Sequence, residues 1–232
     1  GQKIWTTLAQ HATHIFCLVR TDASTKPQAG ISFLLIDLSV GGITIRPIRN
    51  IAGEEELCEV FFDDVRVPVD SLVGKLNDGW TVAKALLGFE RLFVGGSGPC
   101  QRGLRRLRQL AQARGLLEDP AFLDRLTRLE IDVADLESLY NEFADTLRRG
   151  ETLGADVSVL KIWGGDTECR LSEVLLEAAG DAGGRAGFTE FGTSSFDLLS
   201  HYYNARRTPI YAGSNEIQRN ILAKQVLRMP SR

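Results

Sequence analysis

The chain has 232 residues, 44% hydrophobic and 25% charged, with a formal net charge of −3. That length suffices for one large or two small domains with a real core. The charge, with no basic stripe, excludes an electrostatic case for nucleic acid, and no apolar run approaches the roughly 20 residues of a membrane span.

Four cysteines stand at 17, 58, 100 and 169. They form no C-x-x-C pair and show no zinc spacing with histidine. They read as reduced thiols of a cytoplasmic protein, with no metal. No signal-peptide pattern opens the chain. Its first residues, GQKIWTTLAQ, read as interior sequence, which suggests a fragment of something larger.

The front is β. HIFCLVR, ISFLLID, ITIRPI and CEVFFDDV are short runs rich in β-branched and aromatic residues, separated by turn clusters. They predict four strands, antiparallel, in residues 1–66. Such a small sheet has long edges, which suggests missing partners.

From Gly79 the period becomes helical. The first predicted helix, 79–113, holds GFERLFVGGSGP, in which Gly88, Gly95, Gly96, Gly98 and Pro99 interrupt the pattern. Each glycine there costs about 0.5–1 kcal/mol relative to alanine. Tight helix packing or the close approach of a ligand would explain the cost equally well. The basic run LRRLRQLAQAR that follows reads as a solvated helix face.

The clearest helix lies between Asp119 and Gly150. Leu126, Leu129, Val133, Leu136, Tyr140, Phe143 and Leu147 step by three and four along one stripe. Asp119 and Pro120 supply a cap and a first-turn proline, and Gly150 a stop. Further helices are expected at 152–180, 194–204 and 214–227. The whole predicts an α+β chain: a small antiparallel sheet, part of a β-domain, over 1–66, then an up-down four-helix bundle over 67–232.

Three segments carry a resemblance: GQKIWTTLAQHATHIFCLVRT, CEVFFDDVRVPVDSLVG with its later DGW, and RRTPIYAGSNEIQRNILAKQVL. In order and spacing they resemble the middle and C-terminal parts of the acyl-CoA dehydrogenase family. The family's N-terminal helical domain and the first strands of its β-domain are absent from this stretch. Members are FAD flavoproteins that oxidise the Cα–Cβ bond of an acyl-CoA thioester. A glutamate removes the α-proton while the β-hydrogen leaves as hydride to flavin N5. The resemblance therefore implies an enzyme with FAD as cofactor, an acyl-CoA substrate, electron-transfer flavoprotein as acceptor, and a homo- or hetero-oligomer, dimer or tetramer.

Position by position, Trp5 resembles the tryptophan against the flavin ring and Thr7 the hydroxyl near N5. Tyr211 falls where the family has an aromatic, and the resemblance implies that it contacts both flavin and substrate, with Arg91 also on the substrate. Many members follow it with the catalytic glutamate, but here that site is Ala212, left with only its backbone N–H for the thioester oxygen. Gly213, Ser214 and Glu216 follow; Ser214 resembles the hydroxyl beside the flavin diphosphate or ribityl chain, and it also reads as an ordinary helix cap. Other members carry the glutamate on the first long helix, before an arginine. That position is Glu90, followed by Arg91, so the resemblance implies Glu90 as base. Read from the residues alone, Glu90 is also a wet-face glutamate or a partner of Arg91 or Lys84.

Two family segments are altered. Where many members have Arg-x-x-Phe-Gly, this chain has QARGLLEDP, with Arg114 in the arginine's place. Where many have Gln-x-x-Gly-Gly, it has LEAAGDAGG, so Glu177 replaces glutamine and Gly180 keeps the first glycine. A glutamate near a diphosphate is repelled. The alternatives are therefore an active dehydrogenase based on Glu90, a silent subunit completing a partner's site, and an inert fragment.

Overall fold

The computed structural model describes residues 1–230, apart from the side chains at positions 88, 89 and 91. The chain divides into two compact units, Gly1–Leu87 and a second from Gly88 onward.

The first unit holds two three-stranded antiparallel sheets rather than one. One has the order β1 (Gln2–Thr7), β5 (Leu57–Phe62), β4 (Ile43–Ile48). The other runs β2 (His14–Arg20), β3 (Ile31–Asp37), β6 (Leu72–Val73). The four runs expected from sequence are β2 to β5; β1 and the two-residue β6 add to them. Period-two burial is clearest in β5, the central strand, where Cys58 and Val60 are fully buried. They pack with Ala9, Ile15, Ile43, Ile45 and Phe62.

The first helix, α1 (Gly79–Val94), begins against β3. A Cβ on Gly79 would collide with the backbone of Ser32 and Phe33, so only glycine lets the helix start there.

In the second unit, α2 spans Gly98–Ala113, α3 Pro120–Arg148 and α4 Ser158–Ala179. The continuous helix expected over 79–113 is therefore broken between Val94 and Gly98, where glycines offer little helix propensity and Pro99 takes the first turn of α2. A hairpin of β7 (Phe188–Phe191) and β8 (Ser194–Asp197) follows α4. It corrects the helix expected at 194–204: Ser194–Asp197 pair as a strand, and α5 (Leu198–Ala205) starts where Asp197 accepts the Ser200 N–H. Last comes α6 (Asn215–Ile221), continued to Val226 as a π-helical turn.

The centre of this unit is α4, which packs against α2, α3, α5 and α6. The main core joins Leu107, Leu110, Leu126, Leu129, Leu136, Leu160, Leu171 and Leu175. The α3 stripe falls as expected: Leu126, Leu129, Val133 and Leu136 are buried, while Leu139, Tyr140, Phe143 and Leu147 pack at its margin. Among the described residues no helix is long and apolar enough to cross a membrane.

Candidate functional site

A narrow cleft in the second unit gathers the end of α1, the start of α2, the middle of α4 and the loop before α6. Val94, Gly96, Cys100, Lys161, Glu168 and Tyr211 are among its lining residues. Its free space, about 20 Å³, is room for roughly one water or one oxygen-sized group. A larger groove of about 580 Å³ lies elsewhere, lined by Leu139, Phe143, Leu153, Leu222 and Val226 among others. The polar groups on its walls, Glu142, Thr146, Thr152 and Asp156, include no expected site residue, so the narrow cleft is the better candidate.

Three polar groups of the cleft wall are already satisfied. Cys100 Sγ donates to the Gly164 carbonyl at 3.4 Å, and Thr208 Oγ1 donates to Ala205 O at 2.8 Å and Gly165 O at 3.2 Å. Lys161, 3% exposed, donates to Asn215 Oδ1 at 2.9 Å. Asn215 in turn donates to Asp166, which also meets Arg219. This chain of polar contacts fastens α6 onto α4.

Burial lowers the Lys161 pKa, and the nearby charges of Asp166 and Glu216 oppose that. Burial also raises Glu168, with Arg102 opposing, and raises Tyr211, helped by the Glu168 charge. Cys100 is pushed up to about 12 by burial first and Glu168 second, so it is an inert thiol.

Glu90 is half-buried on α1 and, among the described residues, has no ion pair, with Lys84 or any other. It stands one helical turn before Val94, on the same face of the helix, and Val94 lines the cleft with Tyr211. The side chain of Arg91 lies outside the described residues. Ala212 adopts φ 52° and Gly213 φ 83°. A left-handed alanine is sparsely populated backbone, which clusters at functional loops. The carbonyls of both residues accept long hydrogen bonds from Gln218 Nε2 at 3.4 Å.

Ser214 is the cap of α6, accepting the Ile217 N–H at 3.4 Å. Glu216 is held below the usual carboxylate range by its own N–H first and the Ser214 hydroxyl second. The helix start is thus satisfied by its own chain. At the other end of the bundle Arg114 lies beside Gly180, its Nη2 3.3 Å from where a Cβ on that glycine would stand. Glu177 pairs with Arg125 at 2.7 Å, so its charge is balanced in place.

Trp5 and Thr7 belong to the first unit, on the edge strand β1. The pairing of β1 with β5 shifts between Lys3 and Thr6, and Trp5 in that bulge has φ 62° with 60% of its surface exposed. A bulge re-aims a side chain out of the pleat, and the indole is open to a planar ligand.

Sequence reasoning missed Glu168 and Lys161. They stand at i and i+7 on α4, with Gly164 and Gly165 between them at i+3 and i+4. Two charges at core spacing around a pair of glycines were the available signal.

Comparison with known proteins places these features in a family. Residues 77–227 match the family model described as acyl-CoA dehydrogenase, C-terminal domain, and residues 1–65 match acyl-CoA dehydrogenase, middle domain. The chain is 36% identical to the acyl-CoA dehydrogenase IpdE1 of Mycolicibacterium smegmatis, over 99% of this chain and 57% of that protein. It is 38% identical to IpdE1 of Mycobacterium tuberculosis, over 99% of this chain and 59% of that one. Among solved structures, the Tcur3481-Tcur3483 steroid ACAD superposes with a TM-score of 0.91 at 25% identity, covering 100% of this chain and 60% of that one. The chain therefore spans somewhat over half the length of the relatives it matches.

Proposed function

The chain belongs to the acyl-CoA dehydrogenase family, and from that premise we propose that the protein of which it is part oxidises an acyl-CoA thioester to the enoyl-CoA, with Glu90 as α-proton base. The family is flavin-dependent. Its members' two glutamate positions correspond here to Glu90 and Ala212, and an alanine cannot take a proton. The observation that carries the reading is the setting of Glu90: half-buried, free of ion pairs among the described residues, and one turn from a cleft that also holds Tyr211.

A weakly acidic α-proton needs a base in a dry pocket and donors at the thioester oxygen as enolate character develops. Glu90 would hold the proton on its carboxylate. The Ala212 N–H would face the thioester oxygen, a role that needs no side chain, and Tyr211 and Arg91 would line the substrate. FAD would accept the β-hydrogen as hydride. The exposed, bulged Trp5 fits an isoalloxazine face, with Thr7 beside it. Arg114 next to Gly180 fits a phosphate-bearing neighbour, and the Arg125 pair removes the repulsion that Glu177 alone would exert. Gly213, Ser214 and Glu216 are proposed as further flavin contacts, each from its place in the family's pattern. Electron-transfer flavoprotein is the proposed acceptor, an oligomer the proposed assembly and the cytoplasm the proposed location.

The test is Glu90→Gln in the full-length protein. Turnover of an acyl-CoA ester should fall about 10²–10⁴-fold, with the yellow flavin absorbance retained. Moving the carboxylate in a second step, with Ala212→Glu in the Glu90→Gln background, should restore part of the rate. Unchanged turnover in Glu90→Gln would defeat the assignment. Flavin bound only with a second polypeptide, and no turnover alone, would favour a silent subunit.

A further inference from the structure

We infer that Gln218 is a positioning residue of the proposed reaction: its buried amide holds the Ala212–Gly213 turn in the shape that presents the Ala212 N–H to the thioester oxygen. This rests on the reading of Ala212 as that donor.

The first support is the conformation of the turn. Ala212 has φ 52° and Gly213 φ 83°. Glycine takes that region freely, whereas alanine left to itself returns to negative φ. Something must therefore hold the peptide planes on both sides of Ala212. Before it, the Tyr211 N–H donates to the Arg207 carbonyl at 3.0 Å. After it, Gln218 Nε2 donates to the carbonyl oxygens of Ala212 and Gly213, each at 3.4 Å. The bonds are long, but the amide carries two hydrogens, one for each carbonyl. The reversed amide would set Oε1 against two carbonyl oxygens, so only this orientation fits.

The second support is the burial of the amide. Gln218 lies near the start of α6 and is 3% exposed. Its Oε1 is fully enclosed and has no hydrogen-bond partner among the described residues. An apolar side chain would fill the same space without that cost, so the amide is kept for its donor end. The turn is shaped to receive it. A Cβ on Gly213 would stand 2.7 Å from Gln218 Nε2 and push the amide away.

The third support is what the turn leaves open. Gln218 takes its two carbonyls, while the Ala212 N–H has no partner among the described residues. That N–H directly follows Tyr211, which lines the cleft. A developing enolate oxygen is best met by a donor that is unspent and already aimed on clamped backbone. Gln218 thus acts on the rate through Ala212 and touches no reactant.

The experiment uses the full-length flavoprotein, with any partner subunit it requires, and the variants Gln218→Leu and Gln218→Leu with Ala212→Gly. In Gln218→Leu, kcat for an acyl-CoA ester should fall about tenfold to a hundredfold, short of the loss of a whole oxyanion donor. Flavin absorbance should stay at the wild-type level. So should calorimetric affinity for a CoA thioether that lacks the carbonyl oxygen. Adding Ala212→Gly should recover part of the lost kcat, because glycine holds positive φ without help; a packing defect would not be repaired by a smaller residue at 212. Wild-type kcat in folded Gln218→Leu overturns the inference. So does a thioether affinity that falls as far as kcat, or a double variant no faster than the single one. If Gln218→Leu does not fold, the wild-type protein decides: a crystal structure with a CoA thioester in which Gln218 Nε2 lies out of hydrogen-bond reach of both carbonyls overturns the inference, and one that keeps both contacts, with the Ala212 N–H on the thioester oxygen, upholds it. The two assignments fail separately. Full activity in Glu90→Gln removes the base and not the turn, and full activity in Gln218→Leu removes the turn and not the base. A full-length protein with no acyl-CoA turnover overturns both.

Discussion

The two longest helices of the chain, α3 and α4, were built by different rules. One face of α3 is apolar and the other charged: Leu126, Leu129, Val133 and Leu136 are buried, while Asp124 and Arg128 pair in solvent across i,i+4. In contrast α4 is enclosed on several sides, by α2, α3, α5 and α6, and its buried set includes Lys161, Gly164, Gly165, Thr167 and Ser172 beside the leucines. A one-sided helix announces itself by its period. A helix buried nearly all round loses that signal and becomes a place where polar residues are held out of water.

The sharpest break in this contrast is Leu136→Ala. Leu136 is fully buried, and its Cδ2 faces Gly164 of α4. The cavity left behind should cost about 2–5 kcal/mol in urea denaturation. On the outer face, Ile131 is 56% exposed, and Ile131→Lys should stay within about 0.5 kcal/mol. A loss at position 131 comparable to that at 136 would mean that α3 is covered on both faces and that the contrast is false.

A smaller effect tests the polar side of α4. Asn215→Ala removes the acceptor of the Lys161 ammonium and the donor to Asp166. Leaving a buried charge short of a partner should cost about 1.5–3 kcal/mol at neutral pH. The sign with pH follows from the lowered Lys161 pKa. The cost of burying its charge is fully present below the depressed folded value. It is relieved as pH rises from there toward the ordinary lysine value, because the unfolded chain then binds the extra proton. The difference between wild type and Asn215→Ala should therefore shrink between neutral and alkaline pH. A difference that does not move with pH would shift the cause from Lys161 to the cap region of α6.

How much could be read beforehand follows the same division. The α3 stripe, strands β2 to β5, the helical bundle, and the cap residues Asp119 and Ser214 were legible, because each depends on local period or local hydrogen bonding. The family kinship was legible in the segments around Trp5 and Tyr211. Strand β1 was hidden because its bulge at Trp5 breaks the alternation. Strand β8 was taken for helix because Ser194–Asp197 is short and gains its strand form from pairing with β7. Glu168 was hidden because nothing local distinguishes a buried glutamate from a solvated one; its surroundings come from α2 and from the Tyr211 loop, over 40 residues away along the chain in either case.

The helix starts give the finest test. Asp119 is exposed and accepts the Ala121 N–H at 2.9 Å, ahead of Pro120 at the first helical position. The residue in the same place before α4 is Val157, 1% exposed and part of the core, with no side-chain cap. One helix is begun by a hydrogen bond, the other by burial. Asp119→Ala should therefore cost about 1 kcal/mol, and Asp119→Asn close to nothing, since an amide oxygen caps as well as a carboxylate. Both variants remove the charge and only Asp119→Ala removes the cap, so the comparison isolates the cap: if Asp119→Asn lost as much stability as Asp119→Ala, the charge at the helix start, and not the hydrogen bond to Ala121, would be what begins α3.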